Sequence, residues 1–316
     1  MKILVTGGAG FIGSHVVDRY VAAGHRVVVV DDLSTGRRDL LNPAATFHRL
    51  DIRDPAIADV FAAERPEVLN HHAAQIDVRR SVEDPAHDAA VNVVGSLNLL
   101  GCARRFGVRT VVYASSGGAV YGDTPVLPTP EEHPTRPASP YGVSKLTVEY
   151  YLACWEALYG VRWVALRYAN VYGPRQNPMG EAGVIAIFAH RLRRGEPVTI
   201  HGDGLQTRDY VYVDDVAAAN VAALERGEAS GPINIGTGRR TTVVELYRIL
   251  RGELGGAEAP HHGPPKAGEQ RDSALDAARA RERLGWTPRV GLEEGLRRTA
   301  AYFRAADASG APAGRA

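Results

Sequence analysis

Along the first half of the chain, apolar residues come in short unbroken runs separated by amphipathic stretches. That is the pattern of strands buried on both faces alternating with helices. Residues 2–6 predict a buried strand, 14–23 a helix and 26–30 a second strand. Further strands are predicted at 46–50, 67–71, 109–115 and 161–168, with helices at 55–64, 85–106 and 141–159. This βαβ rhythm predicts an α/β fold built on a doubly wound, mostly parallel sheet. After Gly173-Pro174 the rhythm loosens into helices near 182–194, 214–226, 241–254 and 291–304, with short strands at 197–200 and 210–213. The expected organisation is one domain over 1–172 and a smaller, partly interwoven α/β lobe over 173–304, some of whose segments return to the first domain. The Gly-, Pro- and His-rich stretch 255–268 reads as loop, and the small, polar residues 305–316 as a disordered tail.

Composition narrows the class of protein. At 316 residues, 45% hydrophobic and 23% charged, the chain is ordinary globular material with length enough for a substantial core. A net charge of +1 gives no reason to expect binding to nucleic acid or anionic membrane. No apolar run is long enough to span a bilayer, and with a strand predicted from residue 2 no leader is expected. Two cysteines, Cys102 and Cys154, make no disulfide framework, so a reduced, cytoplasmic protein is expected.

The turn after the first strand carries the first chemistry. Gly7, Gly10 and Gly13 have the spacing of a phosphate-binding turn, opening a helix through Phe11 and Ile12 whose amides and positive dipole end hold a pyrophosphate. The second strand ends in Asp31-Asp32, about 20 residues on, placed to accept the hydroxyls of an adenosine ribose. The fold expected is therefore Rossmann-type. Carboxylates here repel a 2′-phosphate, which favours NAD over NADP; the following Arg37 and Arg38 are the only counter-signal.

A second motif is Tyr141-x-x-x-Lys145. Of 37 basic residues only Lys2, Lys145 and Lys266 are lysine, so a lysine here is not routine surface charge. Four residues apart on a helix, the two side chains share a face. An ammonium beside a phenol favours phenolate, and the expectation is a tyrosine pKa lowered toward neutrality, fit for a general base.

Together with the pieces Asp51-Ile52, His72-Ala73-Ala74-Gln75, Asn92, Ser115 to Gly122, Leu166 to Arg175 and Arg208-Asp209-Tyr210, these motifs resemble the extended short-chain dehydrogenase/reductase family, and within it the nucleotide-sugar 4-epimerases. The resemblance spans nearly the whole chain. It implies a tightly held NAD, a UDP-hexose substrate, a transient 4-keto sugar and a homodimer paired through helices 85–106 and 141–159. By position it implies that Asp31 binds the adenine ribose, that Asp51 and Ile52 border the adenine, and that Ala73, Ala74 and Gln75 line the cofactor. Asn92, Ser115 and Tyr168 fall in the same cofactor set, with Tyr168 near the nicotinamide. Lys145 holds the nicotinamide ribose, while Asn170 and Arg208 take the substrate phosphates. No metal is implied.

Departures from the family pattern matter as much. The family's relay Ser or Thr falls at Gly117, so Ser116, a water or Tyr141 alone must serve. Gly118-Ala119 supplies none of the acids that sister dehydratases and decarboxylases need there, which leaves epimerisation. Lys266 and Glu269 stand where the family places an Arg for the diphosphate and an acid for the uridine ribose. Ser273 falls at the gate for the sugar C2 substituent, and its small size suggests room for an N-acetyl group. A UDP-uronate 4-epimerase, another nucleotide-sugar epimerase or reductase, and a non-catalytic NAD-binding sensor remain open alternatives.

Overall fold

The computed structural model describes residues 1–179, 183–227, 229–256, 259–265 and 270–308. Strand β1 (Lys2–Thr6) leads through helix α1 (Phe11–Ala22) to β2 (Arg26–Asp31) and β3 (Thr46–Arg49), and α2 (Ile57–Glu64) leads to β4 (Val68–His71). Helices α3 (Val78–Glu83) and α4 (Pro85–Ala89) follow, and a π-helical turn at Ala90–Val94 joins α4 to α5 (Gly95–Phe106). Then come β5 (Thr110–Ser116), the short α6 (Gly117–Tyr121), the long α7 (Pro140–Tyr159) and β6 (Arg162–Tyr168). The remainder holds β7 (Asn170–Tyr172), α8 (Val184–Arg193), β8 (Thr199–His201), β9 (Thr207–Arg208), β10 (Tyr210–Tyr212) and α9 (Val213–Glu225). It closes with β11 (Gly231–Ile235), β12 (Thr241–Thr242), α10 (Val243–Leu254), β13 (His261–Gly263), α11 (Ala278–Leu284) and α12 (Leu292–Ala308).

Seven of the described strands form one parallel sheet in the order β11-β6-β5-β4-β1-β2-β3. Strand composition explains its burial. In β1, Ile3 and Val5 enter the core on one face and Leu4 the core on the other; in β2, Val27 and Val29 oppose Val28 and Val30 in the same way. A strand covered on both faces needs an unbroken apolar run, which is what these segments have. Helices α1, α9 and α11 supply the first face, and α2, α5 and α7 the second. A third core cluster holds α8, α10 and α12 against the short strands β7, β8 and β10, forming a lobe beside the sheet.

Four elements differ from the sequence-based expectation. The 255–268 stretch is not all loop, because β13 pairs in parallel with β8. Helix α12 continues to Ala308, so 305–308 are helical and only 309–316 of the expected tail lie outside the described residues. The helix expected over 85–106 is interrupted by the π-helical turn, where Asn92 sits. The seventh strand, β11, lacks a strand signature because of its Gly231-Pro232 start, and a proline fits there because β11 is an edge strand.

Candidate active site

Strand order reverses between β1 and β4, and the crevice at the carboxyl ends of such strands is where an open α/β sheet binds its ligand. The glycine turn sits there. Gly7 has φ +70°, and a Cβ on it would come within 2.6 Å of Ala73 N. A Cβ on Gly13 would collide with the Gly7 carbonyl, so turn and helix close only without side chains. Gly10 gives α1 no side-chain cap and its first turn carries no acid. The opening amides, with Phe11 and Ile12 at the helix start, are thereby left for an anion.

Asp31 is buried at the end of β2, where Oδ2 accepts from Ala9 N (3.0 Å) and Oδ1 from Leu33 N (2.9 Å). Each oxygen keeps acceptor capacity for a ribose hydroxyl. Burial raises its pKa, against the pull of those amides. Asp32 is exposed and caps the turn at Ser34 N (2.8 Å). Asp51 is paired with Arg53 (2.5 Å), which lowers its pKa, and the neighbouring Ile52 is buried beneath Gly95. On the facing loop Ala73 N donates to Thr6 Oγ1 (3.3 Å), and Ala74 is half-buried. Beside them His72 Nδ1 is buried without a hydrogen-bond partner, and burial takes that ring down to about 3, so it is neutral. An uncapped helix start, a glycine cradle, a buried carboxylate and an orphan imidazole nitrogen fit a bound dinucleotide.

Asn92 uses its whole amide within the protein. Oδ1 accepts from Gln75 N (2.8 Å), and Nδ2 approaches Gln75 O (2.9 Å), Asp88 Oδ1 (3.0 Å) and Ser144 Oγ (3.2 Å). It therefore orders the 72–75 loop. Asp88, 1% exposed, also accepts from Gln75 Nε2 (2.9 Å). Its one mark in the sequence is a carboxylate one helical turn before Asn92.

Tyr141 lies in the first turn of α7, which Ser139 caps by accepting from Gly142 N (3.1 Å). A Cβ on Gly142 would fall 2.5 Å from Ala119 O, so α7 and α6 meet closely at this point. Ser116, at the end of β5, lies near enough to the Tyr141 side chain to favour its phenolate. Lys145 is one turn deeper and buried, with Nζ 5.9 Å from the Tyr141 ring centroid and donating to Ala114 O (2.9 Å). Its two other protons remain for a ligand.

The charge state departs from expectation. Burial pushes Tyr141 up to about 12, partly offset by the Ser116 hydrogen bond, and Asp88 pushes it the same way as burial. Burial takes Lys145 down to about 8, against the pull of Asp88 and Glu149. Within the protein alone, desolvation of the phenolate outweighs the neighbouring ammonium, whose proton is already committed to a carbonyl.

Ser115 faces away, its hydroxyl donating to Glu149 (2.5 Å). Glu149 pairs with Arg167 (2.6 Å) in a buried ion pair that reaches Tyr121 OH (2.8 Å). Tyr168 OH accepts from Asn220 Nδ2 (2.8 Å) and meets His72 Nε2 at 3.2 Å. On the substrate side Asn170 is exposed at the start of β7, and Arg208 in β9 donates to Thr207 O (2.8 Å). Ser273 is buried, its Oγ 3.9 Å from where a Gly118 Cβ would lie. A cavity of about 280 Å³ lined by His201, Asp203, Gln206, Gln270 and Arg271 opens beside that segment. Lys266 and Glu269 lie outside the described residues.

A parallel sheet with a glycine-turn dinucleotide cradle and a Tyr-Lys pair across the crevice defines a nicotinamide-dependent enzyme of the short-chain dehydrogenase/reductase type. The model of the NAD dependent epimerase/dehydratase family matches residues 3–236, and the chain belongs to that family. It is 49% identical over 309 residues to UDP-glucose 4-epimerase of Mycolicibacterium smegmatis, covering 96% of this chain and 99% of that protein. Among solved structures it resembles UDP-glucose 4-epimerase of Thermotoga maritima with UDP-glucose (TM-score 0.94, 50% identity, 96% of this chain and 99% of that one). It also resembles UDP-glucose 4-epimerase of Thermus thermophilus in complex with NAD (TM-score 0.92, 45% identity, 97% and 100%).

Proposed function

We propose that the chain is an NAD-dependent isomerase that inverts C4 of a UDP-hexose through a transient 4-keto sugar. The observation that carries this reading is the Tyr141–Lys145 pair, with Nζ 5.9 Å from the phenol ring centroid, set at the strand ends opposite the glycine turn. Bound NAD would supply reversible hydride chemistry at C4. Gly7, Gly10 and Gly13 with the α1 amides would hold its pyrophosphate and Asp31 its adenine ribose. Tyr141 takes the C4 hydroxyl proton, with Ser116 relaying between the sugar oxygen and the phenol. Lys145 offers its two remaining protons to the nicotinamide ribose and keeps a positive charge next to the base. Asn170, Arg208 and Lys266 would take the diphosphate and Glu269 the uridine ribose.

Specificity reaches further in the proposal. Ser273 is small and leaves room at the sugar C2, so UDP-N-acetylhexosamines are substrates alongside UDP-glucose and UDP-galactose. A homodimer is also proposed. Val143, Tyr150 and Leu158, each at least half exposed, lie along one stripe of α7, and Val94 is exposed beside α5. A cytoplasmic, reducing setting suits the free Cys102 and Cys154.

The test is incubation of the purified protein with UDP-glucose, UDP-galactose, UDP-N-acetylgalactosamine and UDP-glucuronate, without added NAD, with C4 configuration read by NMR. Interconversion of the hexoses is expected, with comparable turnover of the acetylated sugar. Strict rejection of the acetylated sugar would remove the Ser273 argument. Turnover of the uronate alone would move the function to uronate epimerisation. No product from any sugar, even with NAD supplied, would leave a nucleotide-binding protein without catalysis.

A further inference from the structure

Tyr141 stands in the first turn of α7, where the helix cannot hold its own backbone. The first intrahelical bond runs from Val143 N to Ser139 O (3.0 Å), so the amides before it need partners from outside the ladder. Pro140 has no N–H, and Gly142 N donates to Ser139 Oγ (3.1 Å). Tyr141 N donates instead to Ser81 Oγ, on α3 (3.2 Å). Ser81 is fully buried, and its own hydroxyl donates to Val78 O (2.6 Å), which leaves its oxygen to accept from Tyr141. On the carbonyl side, Ser144 Oγ donates to Tyr141 O (3.0 Å) and lies 3.2 Å from Asn92 Nδ2.

Helix α3 is in turn fixed to the cofactor side. Its N-cap, Asp77, accepts from Arg79 N (2.8 Å) and Arg80 N (2.9 Å). Gln75 brackets that cap: Asp77 N donates to its Oε1 (2.6 Å), and its Nε2 donates to Asp77 O (2.9 Å) and Asp88 Oδ1 (2.9 Å). Both amide protons and the oxygen of Gln75 are thus engaged within the segment. Two residues earlier, Ala73 N is the atom that a Cβ on Gly7 would strike, so the segment starts against the glycine turn. A continuous path of backbone and hydrogen bonds runs from the dinucleotide cradle through Gln75, Asp77 and α3 to the Tyr141 amide.

We propose that Ser81 is a positioning residue for Tyr141: by accepting from the Tyr141 N–H it fixes the first turn of α7 against the segment that lines the cradle, and so sets where the phenol stands relative to the cofactor. This role rests on the epimerase reading above and deepens it. A base misplaced by about 1 Å costs on the order of 100-fold in rate, so a single backbone contact at a helix end carries catalytic weight.

The experiment places Ser81→Ala and Ser81→Thr in the wild-type and Tyr141→Phe backgrounds, with the enzyme carrying its NAD. It measures kcat, KM, NAD affinity and hydrogen exchange at the Tyr141 amide. Ser81→Ala should lower kcat by about tenfold or more and speed exchange at that amide, with KM and NAD affinity within about twofold of wild type. Ser81→Thr keeps the acceptor and should stay within about threefold of wild type in kcat. In the Tyr141→Phe background Ser81→Ala should change the residual rate by less than about twofold, because no phenol remains to misplace. An equal loss in both backgrounds, or an unchanged kcat, would overturn the proposal. So would a wild-type Tyr141 amide that exchanges as fast as a frayed helix end, a result that needs no variant. A wild-type protein inactive on every UDP-sugar would instead overturn the functional reading, while hydrogen exchange would still judge the Ser81 contact.

Discussion

Tyr141 is the residue on which the proposed chemistry turns, and its protein environment holds it protonated. Its phenol sits near 12 under burial, so ionisation must come from the charges that gather around it: the Lys145 ammonium and the cationic nicotinamide of bound NAD. Replacing Tyr141 with Phe should cost about 10²- to 10⁴-fold in kcat while NAD remains bound, measured by steady-state rates and cofactor absorbance. The pH profile has a sign that can be worked out. Lys145 is cationic below about 8 and loses its charge as pH rises through that value, so activity should fall on the alkaline side. Asp88 raises the pKa of both Tyr141 and Lys145. Asp88→Asn keeps an oxygen for Gln75 and Asn92 but removes that influence, and should move both limbs of the kcat profile to lower pH. An unmoved profile would deny Asp88 an electrostatic role. The Tyr-Lys spacing and the acidic residues at 31 and 32 were legible in sequence because they are local patterns. Asp88 was not, because its importance lies in a neighbour on another helix.

At the level of elements, close backbone approach recurs where the site is built. Gly13 packs on the Gly7 carbonyl and Gly142 on that of Ala119. Gly13→Ala should widen the turn, lower the thermal midpoint by several degrees and weaken NAD binding at least about tenfold, read by melting curves and cofactor titration. Retained affinity would mean that the turn tolerates a side chain. The glycine turn was readable because its spacing is contiguous, flanked by a strand and a helix. The π-helical turn holding Asn92 was not, since it is defined by which carbonyl each amide meets and not by residue type. Strand β13 was hidden by composition: His261–Gly263 pairs by its backbone with β8, which a residue pattern does not record.

Across the whole molecule, buried polar groups stitch the sheet to what surrounds it. The Glu149–Arg167 pair joins α7 to β6, and Tyr121 OH continues it to Asn234 Oδ1 (2.9 Å) on β11. Glu149→Ala strands a buried guanidinium and should cost about 3–5 kcal/mol in chemical denaturation. A loss below about 1 kcal/mol would show that solvent reaches the pair. The exposed stripe on α7 should be the dimer contact, so Tyr150→Glu with Leu158→Glu should convert a dimer to a monomer in analytical ultracentrifugation. A wild-type monomer would remove that expectation.

The sequence by itself determined the alternation of strands and helices, the dinucleotide cradle and the Tyr-Lys pair, because each is a matter of period or of residues close in the chain. Tertiary structure alone decided three other things. It raised the Tyr141 pKa, since desolvation depends on what surrounds a group. It gave Asn92 to the 72–75 loop, since hydrogen-bond partners are set by packing. And it set Ser81 against the Tyr141 amide, a contact between residues far apart in sequence that no local pattern could announce.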